Sequence, residues 1–522
     1  MHSARGEAPA SGQSMNDRNK GAVAAGHEIT AKAMREILRD GGNAFDAVLA
    51  GAMAACVAEP VLASPGGGGF LMARSGADGR LTLYDFFAHT PRRKRPAAET
   101  EFFPIIANFG TATQEFHIGA GSTAAPGFAQ GVDLIHRELG HLPLERIAEP
   151  AIMAARQGVR VSDFQAYLAT IISPILTTKP SARALFAPGG ALRKGGELMV
   201  NAGLGDTFEA LAREGARLFT EGEIGQAIVR QSAEDGGHLT LEDLLHYQVR
   251  KRRPLMRRFG DFDVALNPPP SMGGTLIGLA LAILDRLPAG AAGPDPVDMA
   301  EALHQCDAAR RGAGHCLEAL SSEQTLQDCL EKARRQPQAP RGTTHVSAVD
   351  RQGNLAALTL SNGEGNGTML GRFGFMLNNM LGEEDLNPEG FHLWPEDRRM
   401  ASMMSPTLLL GADGTMSALG SGGSNRIRSA VFQVTARIAN GEEPDQAITA
   451  PRFHAEHGHL DMECGLDEDV LDRLKSRFPD HRVWAEQSMF FGGVHMAGQN
   501  AAGQFFASGD PRRAGTGYIA QL

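Results

Sequence analysis

The sequence has 522 residues, of which 42% are hydrophobic and 21% are charged, and this balance is typical of a globular protein and not of a disordered chain. The formal net charge of −10 argues against a nucleic-acid-binding protein, because such proteins use Lys and Arg to neutralise phosphates. Five cysteines without a C-x-x-C spacing favour reduced thiols over a disulfide framework or a zinc site.

The N-terminal segment is polar and lacks the apolar stretch of a signal peptide. We expect residues 1–20 to form a loose leader, with either Met1 or Met15 as the start. No run of the sequence reaches the roughly 18 apolar residues that a membrane span needs. The sequence therefore predicts a cytoplasmic protein that binds neither membranes nor nucleic acid.

The first part of the chain predicts helices separated by glycine turns. Apolar residues at helical spacing over 26–42 end on glycines, and the nearly all-apolar run from Asn43 to Val57 predicts a second, buried helix. Gly66 to Gly69 lead into a predicted strand from Phe70 to Ala73. Because these glycines run from helix into strand, they lack the strand-to-helix context of a phosphate-binding loop.

The middle of the chain, residues 127–247, is predicted to be mostly helical, and an apolar helix is predicted over 276–284 after a proline-rich break. Beyond Thr343 the pattern changes to strands. The predicted elements there are strands at Thr344–Asp350, Leu355–Leu360, Ser405–Leu410 and Thr415–Leu419, and a helix at Ile427–Ile438.

The first two of these strands surround Arg351-Gln352-Gly353-Asn354, which is a hairpin signature. If the loop has two residues, Thr343 lies opposite Asn362 and next to Ser361. A register shifted by one residue remains open. In either register a second hydroxyl and an amide lie beside Thr343, so Ser361 and Asn362 are candidate site residues.

Thr343 itself follows a polar stretch, residues 333–342, that stops abruptly where the strand pattern opens. Scission of the backbone before Thr343 would place a hydroxyl nucleophile and its own α-amine on one residue, and an α-amine titrates near pH 8. The alternative is an ordinary threonine-rich strand after a surface loop.

A second glycine-rich turn, Gly420 to Asn425, leads from a predicted strand into the helix at Ile427. Backbone N–H groups at such a turn can converge on an oxyanion. Gly423 and Ser424 are therefore candidate oxyanion donors, and a plain connecting turn is the alternative.

From about Gly21 to its C-terminus, the chain resembles the γ-glutamyltranspeptidase family of N-terminal-nucleophile hydrolases. The resemblance rests on several separate motifs that occur in the family's order. They lie at residues 26–44, 66–72, 268–274, 343–350, 405–407, 450–454 and 510–513.

The resemblance implies a four-layer αββα sandwich made from one precursor that cleaves itself between Gly342 and Thr343. The products would be a large chain, residues 21–342 after the leader, and a small chain, residues 343–522. The two chains would form a heterodimer or a dimer of heterodimers. The resemblance implies no cofactor and no metal.

The family mechanism assigns a role to each candidate. Thr343 would attack a small-molecule acyl donor, the amides of Gly423 and Ser424 would stabilise the oxyanion, and Ser361 would support the nucleophile. Water or an amine acceptor would then release the acyl group.

The substrate pocket departs from the family pattern. The family arginine that binds the donor's α-carboxylate falls on Phe87, which can neither pair with a carboxylate nor carry charge. Other polar recognition residues are also altered or reduced. The family Asn falls on Gly363, the Gln on Met380, and the serine pair on Ser402 and Met403, while Glu383 retains the acidic group.

Several interpretations stay open. Arg92 or Arg93 could replace the missing arginine after a local shift. Alternatively, Phe87, Met380 and Met403 form a more apolar acyl pocket, as relatives that include cephalosporin acylases and C–C-cleaving enzymes would allow. A scaffold protein that never matures is the interpretation outside the enzyme class.

Overall fold

The computed structural model describes residues 19–108, 113–287, 295–313, 342–387 and 390–521. The first strand already begins at Asn19. The predicted leader is therefore two residues too long at its C-terminal end, and its residues 1–18 lie outside the described residues.

The strands of the described residues are numbered β1 to β20 in chain order. They are β1 (Asn19–Ala25), β2 (Gly68–Arg74), β3 (Leu81–Asp85), β4 (Phe103–Asn108), β5 (Thr113–Ile118), β6 (Val159–Arg160), β7 (Leu198–Met199), β8 (Arg250–Arg252), β9 (Leu255–Phe259), β10 (Phe262–Leu266), β11 (Thr344–Asp350), β12 (Leu355–Ser361), β13 (Thr407–Gly411), β14 (Met416–Gly422), β15 (Phe453–Glu456), β16 (His459–Met462), β17 (His481–Val483), β18 (Gly493–Gln499), β19 (Phe505–Gly509) and β20 (Thr516–Gln521).

The α-helices of the same residues are numbered α1 to α16. They are α1 (Glu28–Arg39), α2 (Ala44–Ala58), α3 (Phe128–Leu139), α4 (Leu144–Gln157), α5 (Asp163–Ile171), α6 (Ser173–Thr178), α7 (Pro180–Phe186), α8 (Ala202–Glu214), α9 (Arg217–Thr220), α10 (Glu223–Glu234), α11 (Leu241–Leu245), α12 (Met272–Leu284), α13 (Pro296–Ala313), α14 (Arg426–Ala439), α15 (Pro444–Thr449) and α16 (Glu468–Arg477). None of these helices combines the length and the apolar character needed to cross a membrane.

Two antiparallel sheets form the centre of the fold. One has seven strands in the order β20-β1-β11-β12-β2-β3-β8, and the other has six in the order β19-β18-β14-β13-β10-β9. Strands β11 and β12 pack against β14, and β11 also packs against β18, so the sheets lie face to face. Helices α1 and α2 cover the outer face of the first sheet, and α12 and α14 cover that of the second. The predicted αββα sandwich is confirmed.

The alternation of residues along β11 decides which side chains reach the space between the sheets. Val346 and Ala348 pack with the helices on the outer face, whereas Val349 belongs to the core between the sheets. The Ser347 hydroxyl donates to the His495 carbonyl on β18 at 3.1 Å. Because side chains alternate with a period of two, Thr343 lies on the face that points to the second sheet.

The register of the β11–β12 hairpin differs by one residue from the predicted one. Thr344 pairs with Leu360, so Thr343 lies opposite Ser361 and not opposite Asn362. The loop has three residues instead of two, with Gly353 in the left-handed region at φ 78°. The Asp350 carboxylate holds this loop by accepting from the backbone N–H groups of residues 352 and 354 at 2.9 and 3.1 Å.

The predicted buried helix is confirmed as α2, and every one of its residues is buried. Asn43 caps it, because its side chain accepts from the backbone N–H groups of Phe45 and Asp46. The helix ends at Ala58 with Glu59 as its C-cap. The Glu59 carboxylate therefore lies in the interior, close to the start of β11.

Candidate functional site

The peptide bond between Gly342 and Thr343 is held by hydroxyl groups. The Gly342 carbonyl accepts from the Thr343 hydroxyl at 2.7 Å and from the Ser361 hydroxyl at 2.8 Å. The Ser361 oxygen in turn accepts from the Gly363 N–H at 3.0 Å, and the Gly342 N–H donates to Glu364 Oε1 at 3.0 Å. Thr343 is 5% exposed. The bond is therefore fixed on both sides, with two hydroxyls on its carbonyl oxygen.

This junction opens into a cavity whose empty space, counted together with its opening to solvent, is about 360 Å³. The cavity brings together most of the site residues predicted from the sequence. Its described lining consists of Phe87, Gly342, Thr343, Ser361, Met380, Glu383, Leu386, Ser402, Met403, Met404, Ser424 and Ile427. Glu383 is the one ionisable side chain in that lining, and the described lining contains neither Arg nor Lys.

Sequence reasoning missed Leu386, Met404 and Ile427, which enlarge the apolar wall. Met404 adjoins the predicted Met403, and Ile427 is the first apolar residue after the glycine turn. For Met404 and Ile427, the only signal in the sequence was their position beside predicted site residues. Leu386 had no such signal.

Asn362 does not line the cavity. The observed register explains this, because Ser361 takes the position opposite Thr343 and the next side chain points to the other face. Asn362 is 2% exposed. Its predicted contact with substrate is not supported by this placement.

Phe87 lies in the wall of the cavity because the chain leaves β3 in a tight local arrangement. The Asp85 carboxylate accepts from the Phe87 N–H at 3.2 Å. The Phe87 ring packs 5.5 Å from the ring of Phe70. The backbone carbonyl of Phe87 accepts from the Tyr247 hydroxyl at 2.7 Å and from the Arg399 guanidinium. Arg399 therefore holds the backbone of Phe87 and does not belong to the cavity lining.

Neither Arg92 nor Arg93 replaces the family arginine in this structure. The Arg92 guanidinium lies 3.6 Å from the carboxylate of Asp397. Neither arginine lines the cavity. The described lining of the cavity therefore contains no cation.

Gly363 stands where the family has a polar asparagine, and its backbone conformation favours glycine. Its φ is 63°, a conformation that side chains rarely adopt. A Cβ atom there would lie 2.1 Å from Asn379 Oδ1 and 2.3 Å from Glu383 Oε1. The space that a family asparagine would need is thus occupied by Glu383 and Asn379.

The end of β14 and the turn that follows it lie directly against Thr343. A Cβ atom on Gly422 would stand 2.1 Å from the Thr343 carbonyl oxygen. Gly423 and Ser424 both have positive φ, 118° and 51°. Ser424 lines the cavity, whereas Gly423 does not. The close approach of this backbone to Thr343 therefore depends on the absence of a side chain at Gly422.

A cluster of buried polar groups lies behind Thr343, and sequence reasoning did not identify it. Glu59 accepts from the hydroxyls of Thr344 and Thr30 at 3.0 and 3.3 Å. The Arg513 guanidinium donates to the Thr343 carbonyl in a long contact of 3.5 Å. Burial raises the pKa of Glu59 to about 7 and lowers the pKa of Arg513 to about 10. A charged residue at the end of an all-apolar helix was the available signal for Glu59.

We expect Glu59→Gln to stabilise the protein more at pH 8 than at pH 5. The folded-state pKa of Glu59 rises from 4.5 to about 7, so the stability linked to this group is fully present below pH 4.5 and is lost as the pH rises through 7. The shift corresponds to roughly 3 kcal/mol. Thermal melting at both pH values measures the difference between variant and wild type.

The exposed Glu145→Gln variant is the control for that comparison, because Glu145 is in contact with water and should show no such pH trend. A Glu59→Gln effect that is equal at pH 5 and pH 8 would contradict the assignment of a buried, neutralised carboxyl group.

Within the described residues, no group of three or more His, Cys, Asp or Glu side chains is arranged to hold a metal ion. The groups around the Gly342–Thr343 bond are hydroxyls, backbone amides and buried carboxylates, with Glu364 on the Gly342 N–H and Glu383 in the cavity lining. Their chemistry is that of acyl transfer to a hydroxyl.

Comparisons with known proteins agree with this site. The family model described as gamma-glutamyltranspeptidase matches residues 30–520. The glutathione hydrolase proenzyme of Escherichia coli is 29% identical over 518 residues, covering 91% of this chain and 88% of the relative. The Acylase ACY 1 proenzyme of a Pseudomonas species is 27% identical over 494 residues, covering 89% and 87%.

A solved structure, the cephalosporin acylase from Bacillus halodurans, shares the fold with a TM-score of 0.83 at 23% identity and covers 96% of both chains. The family match includes the cavity, the Gly342–Thr343 junction and every described strand of the two central sheets that begins after β1. The chain therefore belongs to the γ-glutamyltranspeptidase family of N-terminal-nucleophile enzymes.

Proposed function

We propose that this enzyme cleaves itself before Thr343 and then uses Thr343 to transfer or hydrolyse an acyl group through an acyl-enzyme. The observation that carries the proposal is the pair of hydroxyls, Thr343 and Ser361, on the carbonyl of Gly342. The relatives named as proenzymes support the self-cleavage.

Maturation needs only groups that already surround the bond, together with water. The Thr343 oxygen forms a bond to the Gly342 carbonyl carbon, and the bond from that carbon to the Thr343 nitrogen breaks, with the hydroxyl proton passing to the nitrogen. Ser361, which already donates to this carbonyl oxygen, stabilises the negative charge that develops on it. Water then hydrolyses the ester and leaves a Gly342 carboxylate and a free Thr343 amine.

The two chains would remain together after scission because they share one sheet. Strands β11 and β12 of the small chain pair with β1 and β2 of the large chain. Separation would expose these strand edges and the core between the sheets. A stable heterodimer is the expected product.

In the mature enzyme, the Thr343 oxygen attacks the acyl carbon of the donor while the α-amine accepts the hydroxyl proton and passes it to the leaving group. The position of the Gly422–Ser424 turn against Thr343 supports its amides as oxyanion donors. Water or an amine then attacks the ester and releases the acyl group.

Two donor classes fit the family, and the cavity favours one of them. γ-Glutamyl transfer or hydrolysis is the family activity, and it places an α-carboxylate in the pocket. Here the described lining offers Phe87, Met380 and Met403, with Glu383 as its one ionisable group. We infer that donors with a neutral or amine-bearing acyl head bind better than donors that carry a carboxylate.

The proposal is tested by separating the purified protein on a denaturing gel and sequencing the N-terminus of the smaller chain. We expect that N-terminus to be Thr343. If the wild type is found only as one intact chain, the nucleophile assignment is wrong and the scaffold interpretation takes its place.

We expect Ser361→Ala to slow maturation about a hundredfold, because loss of one oxyanion donor costs about 10²–10³ in rate. The time course of chain scission after denaturant-free purification measures this. Ser361→Thr retains the hydroxyl and should mature within about tenfold of the wild type. Equal rates for Ser361→Ala and the wild type would remove Ser361 from the maturation step.

A further inference from the structure

The side chain of Arg513 reaches the nucleophile through a passage that three glycines leave open. A Cβ atom on Gly493 would lie 2.6 Å from the Arg513 stem, and Cβ atoms on Gly422 and Gly423 would lie 2.9 and 3.1 Å from its guanidinium. Side chains at these positions would push Arg513 away from Thr343. The position of Arg513 therefore depends on glycine at these three positions.

The guanidinium is buried and has spare donors. Arg513 is 3% exposed, and its Nε and Nη2 have no hydrogen-bond partner among the described residues. Its Nη1 makes the contact with the Thr343 carbonyl. A buried positive charge thus lies next to the residue whose α-amine the proposed function makes the base.

We propose that Arg513 is a positioning residue that holds Thr343 and keeps the α-amine of mature Thr343 neutral at lower pH than an ordinary α-amine. This inference rests on the proposed function. A positive charge disfavours protonation of a neighbouring amine, so the base becomes available at lower pH.

Other charged groups face this pair, and each changes the effect in a known direction. Asp510 is paired with Arg452 at 2.6 Å. Burial lowers the pKa of His495 to about 4, so that ring is neutral during turnover. Among the remaining charged groups, Arg426 acts in the same direction as Arg513, whereas the carboxylates of Glu59, Glu364 and Glu383 act against it.

Asp510 is the acid that acts most strongly on Arg513, and Glu59 is a second acid that acts on it from the end of α2. Because burial raises the pKa of Glu59 to about 7, this acid is partly neutral near pH 7 and offsets only part of the arginine's charge. A unit charge about 5 Å from an amine shifts its pKa by about two units at an effective dielectric constant of about 20. With part of this offset, we expect a shift of about one unit.

The test is the pH dependence of kcat/KM for an anilide donor, measured for the matured wild type, Arg513→Met and Arg513→Lys. For Arg513→Met, the acid limb of the pH profile, where kcat/KM rises with pH, should shift to higher pH by about one unit. Activity at pH 6 should therefore fall about tenfold, while activity at pH 9 stays within about twofold of the wild type. Arg513→Lys retains the charge and should keep the limb within about 0.3 unit. Arg351→Met, which removes an exposed charge from the hairpin loop, should leave it unmoved.

A second measurement works without turnover. The rate of acetylation of the small chain's N-terminal amine by trace acetic anhydride, followed by mass spectrometry across pH, reports the pKa of that amine directly. In the wild type, the pKa of this amine should lie below the ordinary range of about 7.7–8.0. Because this measurement uses the wild type, it does not depend on whether a variant folds.

Three results would overturn the inference. They are a wild-type amine pKa within or above the ordinary range, an Arg513→Met loss that is equal at all pH values, and an acid limb that Arg513→Lys moves as far as Arg513→Met does. If Thr343 is the N-terminus and activity requires it, but the limb does not move, then only this inference fails. If Thr343 is not the N-terminus, the proposed function itself fails.

Discussion

We expect Thr343→Ala to remain a single chain and to lose at least about 10⁴-fold in turnover, as removal of a catalytic nucleophile does. The hydroxyl that this substitution removes is the one that lies 2.7 Å from the Gly342 carbonyl oxygen. Ser361 remains on that oxygen, but it cannot supply the adjacent amine. The measurements are a denaturing gel for scission and kcat/KM for turnover.

Thr343→Ser is the matched control, because it keeps the hydroxyl and loses only a methyl group. It should still cleave and still turn over, more slowly than the wild type. Co-expression of the two chains as separate polypeptides, with the Thr343→Ala substitution at the start of the small one, separates the two roles of Thr343. Activity in that preformed pair would contradict Thr343 as the nucleophile, even if scission of the single chain is blocked.

The second large effect concerns the donor. We expect kcat/KM for a γ-glutamyl anilide to be about a hundredfold lower than for the matched 4-aminobutanoyl anilide, a preference of roughly 2.7 kcal/mol. The two donors differ only by the α-carboxylate. In the cavity that group would meet Glu383, apolar side chains and neutral hydroxyls, without a cation in the described lining, and burial of an unpaired charge is costly.

Glutaryl and butanoyl anilides complete the panel. The glutaryl donor retains only the carboxylate, and the butanoyl donor retains neither charged group. Glutaryl should be the poorest donor of the four. If the γ-glutamyl donor instead leads by about a hundredfold, the less polar pocket is wrong and ordinary γ-glutamyl chemistry stands.

Phe87→Arg alone should restore little γ-glutamyl activity. Met380 and Met403 still present apolar walls, and the space at Gly363 is occupied by Glu383 and Asn379. Contacts that bind one group act as a set, so a single replacement does not recover their sum. Restoration by Phe87→Arg to within about threefold of the best donor would show that one residue decides specificity.

Local patterns in the sequence predicted the elements around the site well. The alternating runs at β11 and β12 and the apolar run at α2 match the structure to within one residue at their ends. The hairpin register was harder to predict, because the loop length depends on Gly353 in the left-handed region and on the hydrogen bonds of Asp350. That one-residue difference moved Asn362 out of the cavity and placed Ser361 opposite Thr343.

The altered pocket was visible only through the family resemblance, which marked Phe87, Met380 and Met403 as departures. No periodicity would have selected them. Leu386 and Ile427 were not found at all, because their membership in the lining depends on how the loop after β12 and the start of α14 meet Phe87.

The sequence by itself determined most of the secondary structure and the family and singled out Thr343 as the candidate nucleophile, since hydrophobic period, turn chemistry and motifs are properties of neighbouring residues. The tertiary structure decided which distant groups meet at Thr343. Glu59 comes from the end of α2 and Arg513 from the turn before β20, and both lie far from Thr343 in the sequence. Their contact depends on the packing of two sheets and on three glycines that leave room for a guanidinium, and close packing of this kind is a property of the folded molecule.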